Sequence, residues 1–463
     1  MIISAAPKNP YFDLPLSFDP DAYYGSQTWA DFALRGISNT PPRSIELIGL
    51  PGMGKTSLLR YLADRKGALT KNKSALQPPF STRPSLIFPV LVEFRLLPTD
   101  MHPFVYLYHR FYEEYRSYRA EVKMPVSEEL PDLKENAFPE SSSQATAALD
   151  DALTKLKECG VRPALLFDDF HLAFARVNQE ETTRLRPWRD RLAYVIVTER
   201  RLEKVNPEAA GSPFYQTLPK VRVGGLTNAE AKRLVAEPAK QAGAPFHIDD
   251  VNFVLEQTNG HPHLLILAGG TLWDARNSLL LPESKKVSML KEYPELLLAQ
   301  LEERFRPAFQ MYWEHLDETE QAALRAAATK EVASVHYPAL AFLDQLGIVK
   351  FSPQSRNYEP FSQLFKKFIQ SKSAMTLPTL AANGLELSGL EAILYEYLKQ
   401  HPDHICTFDE LSQALWGVKL AEAKDSDLIR RRVQVTVSRL RKKLQEYGVG
   451  DIVSSRDQGY RLL

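Results

Sequence analysis

The amino-acid sequence predicts an α/β core built on a parallel sheet, followed by a helical segment and two smaller units of helices and a β-hairpin. Three observations lead to this fold class. Short apolar runs alternate with helical patterns through residues 1–225, the pattern becomes helical from residue 226, and residues 385–463 carry periodicities of their own. Strands that alternate with helices are typical of a parallel sheet covered on both faces.

Composition and charge restrict the class of protein. The chain has 463 residues, of which 44% are hydrophobic and 25% charged, and these ordinary values exclude disordered and fibrous proteins. At roughly 150 residues per domain, about three domains are expected. The two cysteines, Cys159 and Cys406, are too few for a disulfide framework or a cysteine-based zinc site. No run approaches the roughly 20 apolar residues of a membrane span, and the start lacks a secretory pattern, so we expect a cytoplasmic protein without membrane contact.

Four apolar runs in the first part of the chain are predicted to form the sheet. Residues 44–50 are bounded by turn residues and lead into a glycine-rich stretch. Residues 85–97 are rich in β-forming side chains, although Pro89 argues against a central strand in the first half, because proline cannot donate to a strand ladder. Residues 161–167 and 192–197 complete the set.

Amphipathic helices are predicted between and after these strands. Aromatic side chains recur at helical spacing over residues 103–120, which favours packing in the core over docking of a partner. A surface loop is expected over residues 121–145, followed by a helix at about 146–159. The helical pattern from residue 226 begins with a capping signature, Thr227-Asn228-Ala229-Glu230.

The first candidate site is the glycine-rich stretch at residues 49–56, which matches the P-loop pattern G-x-x-x-x-G-K-[S/T]. A buried strand enters it and an amphipathic helix leaves it, and this context argues against a merely structural turn. Glycines let backbone N–H groups turn around phosphate oxygens at the positive end of the helix. Lys55 is predicted to pair with the β- and γ-phosphates of ATP or ADP, and the Thr56 hydroxyl to ligate Mg²⁺. The nucleotide is expected to contact Gly49, Pro51, Gly52, Met53, Gly54, Lys55, Thr56 and Ser57.

Two carboxylates, Asp168 and Asp169, follow the apolar run at residues 161–167. Such a pair is usually part of a solvated turn, but downstream of a P-loop we interpret it as the acidic half of the site. Asp168 is predicted to hold Mg²⁺ through its water shell, and Asp169 to polarise the attacking water. Since many P-loop ATPases use glutamate in this role, the shorter aspartate predicts slow hydrolysis, suited to a switch.

The last predicted strand of the core is followed by Thr198-Glu199-Arg200-Arg201. Thr198 is predicted to sense the γ-phosphate, and Arg200 to neutralise the charge that develops on it. Arg201 is the alternative arginine, and surface ion pairing explains either arginine equally well. The predicted catalytic residues are Lys55, Asp169 and Arg200.

The order of these motifs, completed by a Gly-x-Pro at residues 260–262, resembles the STAND clade of AAA+-related ATPases over residues 20–370. The resemblance implies a P-loop NTPase core, a helical lid and a winged helix. It also implies that Tyr24 and Gly25 cradle the adenine and that Pro262 touches the adenine face. The sequence departs from the family pattern at Ser26, where the family usually has arginine, and residues 359–365 lack the family's phosphate-sensing histidine.

The C-terminal residues predict three helices followed by two short strands, which is the order of a winged helix. The third helix, at about 427–447, carries an apolar row predicted to face the core: Val433, Val437, Leu440 and Leu444. Residues 424–463 hold ten Lys and Arg against five acidic residues, whereas the whole chain balances 57 against 57. A local excess of positive charge is expected of a phosphate-binding surface.

This unit, residues 385–463, resembles the OmpR/PhoB-type DNA-binding domain, notably at residues 437–444 and in the terminal Gly459-Tyr460-Arg461. The third helix is expected to enter the major groove of double-stranded DNA and the hairpin to lie beside the minor groove. The alternative is a basic helix in a winged helix that binds protein. The residues predicted to contact DNA are Arg431, Arg432, Thr436, Arg439, Lys443, Arg456 and Gln458.

These patterns divide the chain into five parts. They are a P-loop ATPase core at residues 1–225, a helical lid at 226–285, a middle winged helix at 286–370 that is expected to pack on the ATPase, a linker at 371–384, and the DNA-binding domain at 385–463. The sequence favours a nucleotide-switched transcription regulator with weak ATPase activity. Two alternatives stay open: a DNA-remodelling AAA+ ATPase, such as an initiator or transposition helper, and a defence-type STAND signalling protein. The expected partners are DNA, a homo-oligomer in the ATP state and a signalling protein.

Overall fold

The computed structural model describes most of the chain. The described residues are 8–12, 19–122, 130–133, 139–278, 288–353, 356–374, 387, 389–402, 404–416, 426–446, 448, 450–455 and 459–462. The chain divides into two units, Met1–Lys366 and Lys367–Leu463, and each is described by itself. Much of the loop predicted at residues 121–145 lies outside the described residues.

The first unit is built on a parallel sheet. Within the described residues it has five strands, in the order β2-β3-β4-β1-β5, and every neighbouring pair is parallel. The strands are β1 Ile45–Ile48, β2 Ile87–Glu93, β3 Arg162–Asp168, β4 Ala193–Thr198 and β5 Lys220–Arg222. The predicted α/β core is confirmed, and the strand that precedes the P-loop is separated by β4 from the strand that ends in the two aspartates.

The position of β2 at the edge of the sheet explains how this strand accommodates Pro89. This residue pairs with Ala164 of β3 and lies inside the strand. One side of an edge strand has no neighbouring strand, so a missing N–H group is tolerated there. The sequence argument against the first half of this run as a central strand was therefore correct, because the strand is peripheral.

Helices cover the sheet and continue beyond it. In the core they are α1 Gln27–Ser38, α2 Lys55–Ala63, α3 Ala68–Lys71, α4 Pro103–Glu121, α5 Ser142–Glu158, α6 Phe170–Phe174, α7 Gln179–Thr183, α8 Leu202–Val205, α9 Pro207–Ala210 and α10 Pro213–Gln216. Short 3₁₀ turns occur at Pro20–Ala22, Lys73–Ala75, Pro84–Leu86, Phe94–Leu96, Pro187–Asp190 and Ser334–His336. The predicted lid contributes α11 Asn228–Gln241, α12 Ile248–Thr258 and α13 Pro262–Ser278.

Local capping determines where two of these helices begin. The Ser141 side chain accepts a hydrogen bond from the Gln144 amide, so α5 starts four residues before the position predicted from apolar spacing. Thr227 and Glu230 form the predicted capping box at the start of α11. Apolar periodicity does not register a polar first turn, which explains the earlier start of α5.

The aromatic stripe on α4 is part of the core. Its members are all buried: Phe104, Tyr106, Tyr108, Phe111, Tyr112, Tyr115 and Tyr118. Phe88 of β2 packs against Phe111, Tyr115 and Tyr118 with ring centroids 4.7–5.6 Å apart. The prediction that this stripe packs internally is confirmed.

The segment after the lid packs against the core. It comprises α14 Met289–Glu292, α15 Pro294–His315, α16 Glu318–Thr329, α17 Tyr337–Gln345, a hairpin of β6 Val349–Ser352 and β7 Asn357–Pro360, and the start of α18 Gln363–Ala374. Arg201 of the core pairs with Glu320 of α16 at 2.9 Å, and His261 bonds to the Gly347 carbonyl at 3.0 Å. These contacts agree with the expectation that this segment packs on the core, and its classification as a winged helix stays a prediction.

The second unit contains three helices and a hairpin: α19 Gly389–Gln400, α20 Phe408–Trp416, α21 Ser426–Glu446, β8 Ile452–Ser455 and β9 Gly459–Leu462. The predicted apolar row of α21 is buried among residues of α19 and α20. Gly459 has a φ of 151°, and a Cβ there would lie 2.0 Å from the Cys406 carbonyl oxygen, so this close approach requires glycine. Helix α18 extends to Ala374, into the predicted linker, and residues 375–386 lie outside the described part of the chain.

Replacing Leu440 with alanine is expected to destabilise the C-terminal unit by about 2–5 kcal/mol, because the side chain is fully buried and its removal leaves a cavity. Hydrogen exchange of the α21 amides in the full chain measures this loss. Val435→Ala on the same helix is the matched control, since Val435 is 50% exposed and its truncation creates no cavity. Equal protection of α21 in both variants would contradict the assigned core face.

Candidate nucleotide-binding site and nucleic-acid interface

The P-loop connects β1 to α2 through a turn that requires glycine. Gly52 and Gly54 have φ angles of 75° and 80°, in the left-handed region that side chains disfavour. A Cβ at Gly52 would also lie 2.7 Å from the Cβ of His263. The loop is thereby pressed against the start of α13, and α2 begins directly at Lys55.

Lys55 is held over the loop that it follows. Its ammonium donates to the carbonyls of Gly49 and Leu50, at 2.8 Å each, and only 7% of the residue is exposed. Burial lowers the pKa of this ammonium, and the negative charge of Glu199 is the largest opposing influence. The Lys55 ammonium therefore lies against the loop, where phosphate oxygens can replace the two carbonyls as acceptors.

A cavity of about 230 Å³ lies beside the loop and gathers segments that are far apart in the sequence. It contains seven residues predicted to bind nucleotide: Tyr24, Gly25, Met53, Gly54, Lys55, Ser57 and Pro262. Sequence reasoning missed most of its apolar wall, formed by Tyr23, Trp29, Leu58, Val223, Leu226, Leu234 and Ile266. These residues looked like ordinary core positions, so no sequence signal distinguished them.

The segment before α1 is fixed by contacts with α1, α2 and α11. Ser26 caps α1 by accepting a hydrogen bond from the Trp29 amide. Tyr23 stacks on Tyr61 with ring centroids 3.9 Å apart, and Arg233 of α11 donates to the Tyr23 carbonyl at 3.2 Å. Ser26 therefore has a structural role, and an arginine from the lid supports the same segment.

The two aspartates lie at the carboxyl end of β3. Burial raises the pKa of Asp168 to about 6, and a hydrogen bond from the Thr56 hydroxyl opposes this effect. Asp169 has a φ of 49° and accepts a hydrogen bond from Arg95 Nε at 3.0 Å. Thr56 and Asp168 thus lie close together, while Asp169 is held separately by the Arg95 guanidinium.

The residues at the end of β4 have hydrogen-bond partners in the structure. The Thr198 hydroxyl donates to the buried carboxylate of Glu46 at 3.4 Å, and the residue is 1% exposed. The next residue, Glu199, bonds to His315 Nε2 at 3.2 Å, while His315 Nδ1 bonds to the Met311 carbonyl at 2.9 Å. His315 therefore connects Glu199 to the last turn of α15.

Glu199 is a site residue that sequence reasoning passed over. Burial alone would raise its pKa, but the His315 hydrogen bond and the charge of Lys55 outweigh burial and lower it to about 2. Its carboxylate is therefore ionised at any physiological pH. His315 is distant in sequence, so no local pattern could have paired the two residues.

The structure separates the two arginines that follow Glu199. Arg201 is engaged, since it pairs with Glu320 at 2.9 Å and its guanidinium lies 3.7 Å from the ring centroid of Phe342. Arg200 is exposed and lines a cleft of about 730 Å³ together with His171 and Glu199. Between the two, Arg200 is the more exposed.

Neutralising Glu46 is expected to stabilise the protein above neutral pH. Burial raises the pKa of this β1 carboxyl from its ordinary 4.5 to about 7. The native state therefore binds more protons than the unfolded state between these values, and stability falls as the pH rises through that interval. The full penalty, about 3 kcal/mol, is present above pH 7. In Glu46→Gln, the amide oxygen still accepts from Thr198.

Denaturant unfolding at pH 5 and pH 8 tests this prediction. Glu46→Gln should exceed the wild-type stability at pH 8 by up to about 3 kcal/mol, and the difference should shrink towards pH 5. Glu303→Gln, at an exposed position of α15, is the control and should change neither value. A Glu46→Gln protein less stable than the wild type at pH 8 would contradict the expected penalty.

The residues of α21 that are predicted to contact DNA differ in their exposure. Arg439 is exposed, whereas Thr436 is 8% exposed and Lys443 pairs with Glu391 of α19 at 2.8 Å. The predicted DNA contacts of Thr436 and Lys443 stay predictions, although Lys443 has an ion-pair partner on α19. The side chains of Arg431 and Arg432, and residues Arg456 and Gln458 of the hairpin, lie outside the described part of the structure.

Comparison with known proteins supports the assignment of the C-terminal part of the chain. Residues 382–462 match the family model described as "Transcriptional regulatory protein, C terminal". No curated protein matches the chain. Among the described residues, no helix is both long and apolar enough to cross a membrane.

Several solved structures are similar to the first part of the chain. A Walker-type ATPase of Pyrococcus abyssi is 13% identical, with a TM-score of 0.49, over 78% of this chain and 99% of its own. The ORC2 protein of Aeropyrum pernix, in ADPNP–ADP complexes, is 13% identical over 75% of this chain and 93% of its own, with a TM-score of 0.43. The ORC1 protein of the same organism, in complex with DNA, is 13% identical over 79% and 97%, with a TM-score of 0.40.

The chain therefore combines an α/β core of the P-loop ATPase fold with an OmpR/PhoB-type DNA-binding domain. The assignment of the α/β core rests on the parallel sheet and the loop between β1 and α2. The assignment of the DNA-binding domain rests on the family match, which covers the three helices and the hairpin of the second unit.

Proposed function

We propose that this protein is an ATP-binding transcription regulator whose binding to double-stranded DNA is switched by the bound nucleotide, and which hydrolyses ATP slowly. The observation that carries the proposal is the cavity beside the P-loop, in which Tyr24 and Gly25, the loop, and Pro262 of the lid meet. A nucleotide in this cavity touches the core and the lid at once. The family match of the C-terminal unit supports DNA as the partner.

The residues present suit an adenine nucleotide with Mg²⁺. The apolar wall of the cavity suits an adenine ring, and Lys55 with the loop amides suits the phosphates. The buried Asp168, already bonded to the Thr56 hydroxyl, offers the oxygen ligands that Mg²⁺ prefers. When bound, Mg²⁺ supplies positive charge that neutralises the phosphates.

Slow hydrolysis is proposed from the environment of Asp169. Its carboxylate is the candidate to orient the attacking water, and Arg95 holds one of its oxygens. Its short side chain is tied to this partner, so its reach towards the water is limited. Arg200, exposed beside the same edge of the sheet, is the candidate to neutralise charge on the γ-phosphate.

The proposed switch acts through the contacts between the core, the lid and the segment that follows. Pro262 lines the nucleotide cavity, and the adjacent His261 bonds to Gly347 of that segment. Burial lowers the pKa of His261 to about 4, so this ring donates as a neutral group. To shift the protein from mostly one conformation to mostly another, ATP must favour the second conformation by about 5 kcal/mol. The γ-phosphate is the part of ATP that can supply such a difference.

DNA is expected to contact the exposed surface of α21, to which Arg439 contributes an exposed basic side chain. Contacts from Arg431, Arg432, Thr436, Lys443, Arg456 and Gln458 stay sequence-based proposals. A homo-oligomer in the ATP state and a protein that delivers the signal are proposals of the same kind. Salt should weaken the complex steeply, because phosphate contacts release bound counterions.

Selection of bound sequences from random duplex DNA, with ATP, ADP or no nucleotide, tests the proposal. Enrichment of one sequence that depends on the nucleotide is the expected result. Binding without sequence preference, together with strong stimulation of ATP hydrolysis by DNA, would instead favour a DNA-remodelling ATPase. Failure to bind any duplex would favour a signalling protein whose winged helix binds another protein.

A further inference from the structure

Three possible metal ligands converge where β3 and β4 end. Asp169 follows β3, His171 lies in the first turn of α6, and Glu199 follows β4. One ligand atom from each residue lies within 4.8 Å of the other two. His171 and Glu199 line the cleft of about 730 Å³, which provides an entry path from solvent.

Each member of this cluster keeps a lone pair available. Asp169 uses Oδ2 for Arg95, and Glu199 uses Oε2 for His315. Within the described residues, their other carboxylate oxygens accept no hydrogen bond from a side chain of another element. The Nδ1 atom of His171 is buried and has no hydrogen-bond partner among these residues. A buried imidazole nitrogen without a partner is costly unless a ligand satisfies it.

We propose that Asp169, His171 and Glu199 bind a first-row divalent transition-metal ion, at a site separate from the Mg²⁺ pair of Thr56 and Asp168. One imidazole with two carboxylates suits Zn²⁺ or Mn²⁺ better than Mg²⁺, which favours oxygen ligands and water. Ligand atoms around a tetrahedral Zn²⁺ lie about 3.4 Å apart, so small side-chain movements close the site.

Arg95 and His315 act as outer partners of this site. Each bonds to one oxygen of a carboxylate and leaves the second oxygen of that carboxylate available to the metal ion. Groups outside the ligand set orient metal ligands in proteins in this way. Arg95 and Lys55 bring positive charge close to the carboxylates of Asp168, Asp169 and Glu199.

The site has a consequence for hydrolysis that rests on the proposed function. Asp169 cannot accept a proton from water while it ligates a metal ion. Zn²⁺ should thus slow ATP hydrolysis while nucleotide stays bound at the P-loop. Metal binding itself is independent of that function, because it needs no nucleotide.

Isothermal titration of the full chain with Zn²⁺, without nucleotide or Mg²⁺, tests the site. The wild type should bind one ion, and His171→Ala should bind it at least about tenfold more weakly. His336→Ala, at a histidine outside the cluster, should bind as the wild type does. Co²⁺ provides a second readout, since coordination by His171 should give visible absorption bands that the His171→Ala variant lacks.

Three results would overturn the proposal: no Zn²⁺ binding by the wild type, equal affinity in His171→Ala, or loss of binding in Thr56→Ala, which would assign the ion to the Mg²⁺ pair. If His171→Ala does not fold, Glu199→Gln provides the same comparison. Because no nucleotide is present, these outcomes are distinguishable from a failure of ATP binding.

Discussion

Replacing Lys55 with alanine is expected to weaken ATP binding by roughly ten- to a hundredfold, the worth of a hydrogen bond to a charged group. In the structure the ammonium is buried against the loop and bonds to the carbonyls of Gly49 and Leu50. These carbonyls hold the cation where phosphate oxygens arrive. Alanine removes the charge and leaves both carbonyls without this donor. Titration of the full chain with ATP in the presence of Mg²⁺ measures the change.

The same variant separates nucleotide binding from DNA binding. If nucleotide switches the protein, Lys55→Ala should bind the selected DNA with one affinity whether ATP is present or absent. Lys66→Ala is the matched control, because Lys66 is exposed and lies just beyond α2. The control should bind ATP as the wild type does. Unchanged ATP affinity in Lys55→Ala would exclude the P-loop as the nucleotide site, provided that circular dichroism shows an intact fold.

The parts of this site that the sequence predicted well are contiguous in the chain. The P-loop needs a strand, a turn with left-handed glycines and a helix, and all three are encoded within residues 44–63. Asp168 and Asp169 were equally accessible to prediction, because they directly follow an apolar strand. Tyr24, Gly25 and Pro262 were predicted only through a family resemblance. These three residues line the same cavity as the loop, although the local sequence around each of them does not indicate this.

The parts that were missed depend on pairs of residues from distant elements. Thr198 was predicted to face the phosphate, yet its hydroxyl bonds to Glu46 in the neighbouring strand. The Glu199 carboxylate is held by a hydrogen bond to His315, which lies at the end of a helix in another segment. Local patterns report secondary structure and burial, but they carry no information about which charged side chains meet after folding.

Exposure along α21 shows what a helical row leaves open. Residues one position before the apolar row lie about 100° from it around the helix, at the border between buried and exposed surface. Neighbouring helices decide on which side of that border each position falls. Thr436 is buried, and Lys443 pairs with Glu391 of α19, whereas Arg439 faces solvent. The sequence predicted α21 and its core face, but α19 determines which basic side chains stay accessible.

Reversing the charge of Arg439 is expected to weaken binding to the selected DNA at least about tenfold, since one lost arginine contact costs about 1–3 kcal/mol and the new carboxylate repels phosphate. Arg439→Glu changes an exposed side chain of α21 and leaves the apolar row of that helix untouched. The stability of the C-terminal unit should therefore stay as in the wild type. Fluorescence anisotropy with labelled duplex, measured over a series of salt concentrations, gives both the affinity and its salt dependence.

The salt series also identifies the kind of contact that is lost. If Arg439 bonds to a phosphate, binding to all sequences should weaken alike, and the slope of log affinity against log salt should become shallower by about 1. If it bonds to a base edge, discrimination against mutated sites should fall instead. Lys399→Glu makes the same change of charge at an exposed position of α19 and is expected to have a much smaller effect. Equal losses of DNA affinity in Arg439→Glu and Lys399→Glu would mean that the overall charge of the domain governs binding. The proposed contact of α21 with DNA would then be contradicted.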